Sequence, residues 1–296
     1  MNGLEGDVLA AMRQRRSVRS YQDLPVEPTL CEHLLALSKA VDHLTNFPPR
    51  IALISGSEQT QHVLTYMIGS YGLVLNAPHL LVGIVPEEND ASLLDLGYVL
   101  EQVVLRATQL GLGTCWITGS YDARRAGNSV GLEPGEKAVA VCALGHPAQD
   151  RWGRLHSRIV RRVAAGHRRK PLRDVVFSGQ WGEPWFPGDA GSTLATILTH
   201  ACLAPSARNR QPWRFIVMSD RVVLATVRPA PIDGGIVMAH LTLAFTALKG
   251  GGRWKVRLGD DELRQTCGLP QDATYVAAFI PARPMMRPSG EKETGG

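Results

Sequence analysis

Cysteine is scarce in this chain and badly placed for chemistry. Five thiols, Cys31, Cys115, Cys142, Cys202 and Cys267, are scattered, odd in number and never spaced as CxxC. That pattern excludes a disulfide framework and offers no zinc ligand set, which leaves buried free thiols. A membrane-spanning run is missing too. The longest strongly apolar helix-like stretch, IVMAHLTLAFTAL at 236–248, is too short to cross a bilayer and contains His240. No basic segment followed by an apolar one opens the chain, so a cytoplasmic protein without a membrane partner is expected. Charge is modest at +5 and uneven, with Arg158, Arg161, Arg162, Arg168, Arg169 and Lys170 concentrated between 150 and 173. A nucleic-acid patch would interleave aromatic residues with these, and the segment has no such interleaving and no recognised binding motif. It reads instead as a solvated linker or a phosphate clamp.

What is present is material for a sizeable core. With 44% hydrophobic and 20% charged residues over 296 positions, the chain suits one large or two ordinary globular domains. The tail MMRPSGEKETGG, 285–296, is expected to be disordered.

The two halves of the chain resemble each other. LDLGYVLEQVVLRATQLGLGTCW at 94–116 matches IDGGIVMAHLTLAFTALKGGGRW at 232–254, pairing Asp95 with Asp233, Gly97 with Gly235 and Trp116 with Trp254 at one offset, 138 residues (233 − 95). Each copy reads as a long helix closed by glycines and followed by a short strand. GLEPGEKAVAVCALGHP at 131–147 parallels GLPQDATYVAAFIPARP at 268–284, a second match in the same order. Upstream, 33–54 parallels 195–218 at an offset of 164 (Arg50 with Arg214), so the second half has lost 26 residues (164 − 138) around TQHVLTYMIGSYGLVLNAP. The reading is a tandem duplication of a mixed α+β unit, with halves at 1–165 and 166–284. Strands are expected near 51–54, 79–85, 113–117, 137–144, 214–218, 221–227, 252–256 and 273–280. Asp95 and Asp233, near the start of the repeated helix, read as N-terminal caps. His240, aligned with Gln102, reads as a satisfied interior or interface histidine.

Two strings carry chemistry. RRSVRSY at 15–21 places Arg15, Arg16, Ser17 and Arg19 in one short run, and guanidinium and hydroxyl donors suit a terminal phosphomonoester. Alone, the same string reads first as a solvated basic helix end. APSARNRQPW at 204–213 holds Pro205, Ser206 and Asn209 in a loop that Pro205 and Pro212 keep out of helix. Its polar groups can read a ligand edge, or can simply bond their own backbone.

Together these strings resemble the nitroreductase superfamily, with NAPHLLVGIV at 76–85, GLGTCWITG at 111–119, ALGHP at 143–147 and RRKPLRDVVF at 168–177. The branch resembled most is the single-chain, tandem "putative TM nitroreductase" group. The resemblance implies an α+β nitroreductase-like fold in tandem, an intramolecular pseudo-dimer, with FMN between the halves. In the family the phosphate is held by RRSxR of one subunit and the flavin by the PSxxN loop of the other. Here RRSVR survives only in the first half and the PSxxN loop only in the second. VDHLTNFPP (41–49) and GQWGEPW (179–185) stand at the aligned positions, so one composite site per chain is implied. Arg15, Arg16, Ser17 and Arg19 would bind phosphate, assisted by Arg168 or Arg169. Pro205, Ser206 and Asn209 would line the flavin, with Thr118 and Gly119 beside its reactive edge. The activity implied is ping-pong transfer of hydride from NADH or NADPH to a nitroaromatic, quinone or related acceptor, by a monomer, with no protein nucleophile or base and no metal. The competing reading is a flavin-binding or flavin-delivery protein, or a degenerate scaffold, without turnover.

Overall fold

A computed structural model describes residues 7–64, 74–149, 168–187 and 192–284. Arg158, Arg161 and Arg162, the expected boundary at 165/166 and the tail 285–296 lie outside the described residues. In chain order the first part gives α1 (Val8–Gln14), α2 (Pro28–Ala40), β1 (Arg50–Ser55), α3 (Ser57–Leu64), β2 (His79–Val85), α4 (Asp90–Gln109), β3 (Gly113–Ile117), α5 (Ala123–Val130) and β4 (Lys137–Gly145). The second gives β5 (Val176–Ser178), α6 (Thr193–Ala201), β6 (Trp213–Val217), β7 (Val222–Thr226), α7 (Pro231–Lys249), β8 (Gly252–Val256), α8 (Asp261–Thr266) and β9 (Thr274–Pro281).

The mixed α+β fold read from the sequence is present, and its repetition shows in the topology. One sheet has the order β1-β2-β4-β3 and the other β5-β6-β7-β9-β8, so β6 to β9 repeat β1 to β4. All pairs are antiparallel except β5 on β6. Even the irregularities recur: register shifts at Gly83/Ile84 on β2 and at Leu224/Ala225 on β7, two structurally matching places. The loss in the second half is α3. Where 56–78 separate β1 from β2, β6 and β7 are joined by a turn closed by Met218 N–H to the Arg221 carbonyl, 2.9 Å.

The two sheets share one core. On β2, buried at every position, Leu81 and Val85 face the large central cluster, while Leu80, Val82 and Ile84 face a second one under α3 and α5. That alternation is the period of two expected for a strand covered on both sides. Phe215, Val217, Leu224 and Phe279 of the second sheet turn into the same central cluster, with α4 and α7 between the sheets. At the crossing of these helices the duplication becomes a near two-fold. A Cβ on Gly97 would stand 2.2 Å from the Ile232 carbonyl oxygen, and one on Gly235 would stand 1.9 Å from that of Leu94, the residue aligned with Ile232. Glycine at both positions lets the backbones touch.

Several readings change. Helix α7 extends beyond the apolar run seen in the sequence and by length and composition is long enough to cross a membrane. Here it is the buried core helix: Ile236 to Leu241 are all closed off from solvent. Asp95 and Asp233 do not cap their own helices. Asn89 caps α4 in a reciprocal box with Ser92, and α7 starts at Pro231 with no side-chain cap. The two aspartates reach across to loops instead. Asp95 accepts from Leu44 N (2.6 Å), Thr45 N (2.9 Å) and the Thr45 hydroxyl, and Asp233 accepts from Ala207 N (3.0 Å). The segment 179–185, aligned with 15–21, does not lie along β8 as Ser17 and Val18 lie along β3. Among the described residues its backbone bonds to the rest of the chain run to Ser178, Val217 and Cys267, because β5 has already attached this stretch to β6.

Candidate functional site

Helix α1 is capped by Asp7, whose carboxylate accepts from Ala10 N at 2.9 Å, and it ends where Arg15 turns extended. The chain then runs beside the start of β3. Ser17 bridges Thr114, and Val18 N donates to the Thr114 carbonyl at 2.8 Å. Val18 is buried against Gly113, where any Cβ would meet its methyl at 2.8 Å. In extended chain, neighbours point oppositely, so Ser17 and Arg19 face the other way. They face two adjoining cavities, of ≈ 640 and ≈ 300 Å³, and line both. Cavities of this size hold cofactors and small substrates.

The opposite wall comes from the second half. Ser206 Oγ accepts from Gln211 N (2.9 Å), while the Gln211 side chain donates to the Arg168 carbonyl (3.2 Å) and accepts from Lys170 N (2.9 Å). Asn209 accepts from Arg169 Nη1 (2.9 Å) and donates to the Arg168 carbonyl (2.8 Å). The loop and the RRKP string are thus laced together. Arg208, Asn209 and Gln211 all hold positive φ, at 56°, 52° and 50°, and Ser120 at 68° lies on the second cavity. Non-glycine residues in this region carry strain of order 1–2 kcal/mol each and cluster at functional sites.

The sequence-predicted residues fall as follows. Arg15, Arg16, Ser17, Arg19, Arg169, Pro205, Ser206 and Asn209 line the larger cavity, and Thr118 and Gly119 line the smaller, together with Arg19, Pro205 and Ser206. Arg168 is exposed and lines neither. Its carbonyl, not its guanidinium, serves the site. Sequence reasoning missed Arg13, which precedes the first motif, and Arg208, which lies inside the second; they bring to six the guanidinium groups, with no carboxylate, among the described residues lining the larger cavity.

Burial bears on two of these guanidinium groups, Arg15 and Arg169. The Arg15 side chain is 6% exposed, and its buried Nε has no hydrogen-bond partner. Burial, aided by the charge of Arg15, pulls the Arg169 guanidinium down to about 10. Cations held together in a low-polarity wall ask for an anion.

Behind the wall lies a buried network also missed from sequence. Glu101, fully buried, stands 3.9 Å from Arg15 Nε and accepts from Trp116 Nε1 at 2.7 Å. Its other contact is His240 Nε2 at 2.9 Å, and His240 Nδ1 faces the His200 carbonyl at 3.2 Å. Both ring nitrogens therefore meet oxygen atoms, and the histidine ties α7 to Glu101 on α4. His200 in turn accepts from Arg13 at 2.8 Å. No local pattern announces this network, because its members meet only when α4 and α7 cross.

With this geometry in view, a family model described as "Putative TM nitroreductase" matches residues 7–245. The chain belongs to that family. Membership places it among nitroreductase-like oxidoreductases. Among solved structures, a nitroreductase from Thermotoga maritima is similar over 96% of this chain and 97% of its own, at 18% identity and a TM-score of 0.59, a likeness of fold. A nitroreductase family protein from Clostridium novyi covers 62% of this chain and 100% of its own (16% identity, TM-score 0.44). A nitroreductase with bound FMN from Bacteroides fragilis covers 49% and 90% (18% identity, TM-score 0.42). No functionally curated protein matches the sequence.

Proposed function

We propose that the protein is an FMN-dependent oxidoreductase of the nitroreductase type, binding one FMN between its halves and passing electrons from NADH or NADPH to a nitroaromatic, quinone or related acceptor. The observation that carries this reading is the larger cavity, walled by RRSVR from one half and PSARN from the other, whose described lining holds six arginines and no carboxylate. A phosphomonoester fits that demand: it would meet Arg15, Arg16, Ser17 and Arg19, with Arg169 held toward it by Asn209. Pro205 and Ser206 would flank the ring, and Thr118 and Gly119 would border its reactive edge. A Cβ on Gly119 meets nothing within 4 Å, so a ligand can approach the backbone there.

Bound flavin would supply the two-electron chemistry, taking hydride from a nicotinamide and giving it to an acceptor in the same place. The chain's own part is binding and orientation. Glu101 fixes Arg15 and Trp116, and the strained 205–211 loop closes one side. Because one chain supplies both walls, the working unit is a monomer.

Flavin content of purified protein tests the reading, with Arg19→Glu and Asn209→Ala alongside. The expected result is about one FMN per chain, lost or sharply reduced in both variants, and reduced by NADH or NADPH. Two per chain would refute a single composite site. A flavin that stays oxidised would favour a binding or delivery role instead.

A further inference from the structure

The duplication supplies an internal control for one residue of the smaller cavity. Asp95 and Asp233 occupy the same position in the two halves, and each reaches the equivalent loop. In the first half both carboxylate oxygens of Asp95 are taken: Oδ1 by Leu44 N and Oδ2 by Thr45 N and Oγ1. In the second half Asp233 Oδ1 accepts from Ala207 N, while Oδ2 accepts no hydrogen bond from the described residues. The reason is the loop. Residues 207–209 are drawn into a tight turn, with Asn209 N given to the Ser206 carbonyl, so the amides that would have met Asp233 point elsewhere. Asp233 lines the smaller cavity, and burial pushes its carboxyl up to about 6 even though the Ala207 amide and the charges of Arg228 and Arg210 act in the opposite direction. A carboxylate oxygen that meets no donor of the described residues and opens on a cavity is available to a donor on a ligand.

We propose that Asp233 is a specificity-determining residue of the acceptor site, accepting through Oδ2 a hydrogen bond from a neutral N–H or O–H group on a flat, largely apolar substrate. This rests on the function proposed above. The rest of the lining selects the remainder of that substrate. Trp116, Ile232 and Ile236 offer apolar faces, and Arg19 and Arg208 in the same lining disfavour a cation.

The test uses para-nitrobenzyl alcohol and para-nitroethylbenzene, which differ by the hydroxyl donor and little in shape. Binding to flavin-free protein is measured by calorimetry at pH 8, and KM on the flavin-loaded protein, for wild type, Asp233→Asn, Asp233→Ala and Asp95→Asn. Asp233→Asn keeps an oxygen for Ala207 N and turns an NH2 group toward the cavity. Wild type should favour the alcohol about tenfold relative to either Asp233 variant, the effect of one hydrogen bond to a charged group. The Asp95→Asn protein should keep the wild-type preference. Wild-type preference retained in folded Asp233→Asn and Asp233→Ala overturns the proposal. So does an unchanged preference accompanied by weaker FMN binding, since that would assign Oδ2 to the flavin. Absence of flavin binding altogether would sink the proposed function, while the calorimetric arm would still report on Asp233.

Discussion

Replacing Gly235 by alanine probes the joint on which the whole site depends. The new Cβ would stand 1.9 Å from the Leu94 carbonyl oxygen and 2.7 Å from Tyr98 N, both backbone atoms of α4. Ordinary contact begins at 3.4 Å, so α4 and α7 must part by about 1.5 Å (3.4 − 1.9). Inserting a methyl group into a packed core costs about 1–3 kcal/mol, and a backbone neighbour, unable to swing aside, puts this case at the upper end. Better helix propensity returns at most about 1 kcal/mol. The net loss of roughly 2 kcal/mol should lower the unfolding midpoint by about 3 °C for a chain of this length. Because α7 carries Asp233 and His240 while α4 carries Glu101, the same displacement loosens the site, and flavin content should fall with stability. Gly234 is the control on the same helix turn. Its Cβ would meet a flexible Leu94 methyl at 3.2 Å, so Gly234→Ala should stay within about 1 kcal/mol of wild type. Thermal unfolding followed by circular dichroism, with flavin released and counted, decides. A Gly235→Ala protein that melts with wild type, while Gly234→Ala does not, would refute the reasoning.

Three further outcomes are expected. Glu101→Gln keeps an acceptor for Trp116 Nε1 and a donor for His240, whereas Glu101→Ala orphans both at about 1–3 kcal/mol each, so urea unfolding should show the alanine variant distinctly weaker; equal stabilities would count against the network. The Asp233 carboxyl sits near 6 in the folded chain against 3.8 as its ordinary value, so the folded state holds the proton longer and wild type loses stability as pH rises from about 4 to 6. Two pKa units at about 1.4 kcal/mol each put the loss near 3 kcal/mol; Asp233→Asn should therefore gain by this order on wild type between pH 4 and pH 7, and a constant difference across that range would contradict the shift. Inorganic phosphate should relieve the crowding of Arg15 and Arg169, stabilising flavin-free protein by about 1.4 kcal/mol at ten times its Kd, an effect that an Arg15→Gln protein retains in full only if that guanidinium is not in the anion site.

The period-two runs and glycine-closed helices placed eight of the nine strands in the described chain close to where they stand, and the offset between copies marked the missing α3 before any fold was drawn. The exception, β5, is three residues long and pairs with β6 only through a parallel contact that no local pattern encodes. Helices α3, α5 and α8 are short, and their apolar residues are too few to set a period. The assignment of Asp95 and Asp233 as caps failed because a carboxylate near a helix start looks the same whether it serves its own helix or a neighbouring loop. What the amino-acid order determined by itself is therefore the repeated unit, the two binding strings and their division between the halves, since these rest on local propensity and on motif chemistry within a few residues. What only the tertiary structure decided is how those pieces are used. Arg15 acquires Glu101, Asp233 keeps a free oxygen that its twin Asp95 does not, and Asn209 spends its amide on Arg168 and Arg169. Each of these joins residues far apart in the chain, Asn209 and Arg168 by 41 positions, Arg15 and Glu101 by 86 (101 − 15), and the helices of Asp95 and Asp233 by 138 (233 − 95), distances over which local sequence carries no geometry.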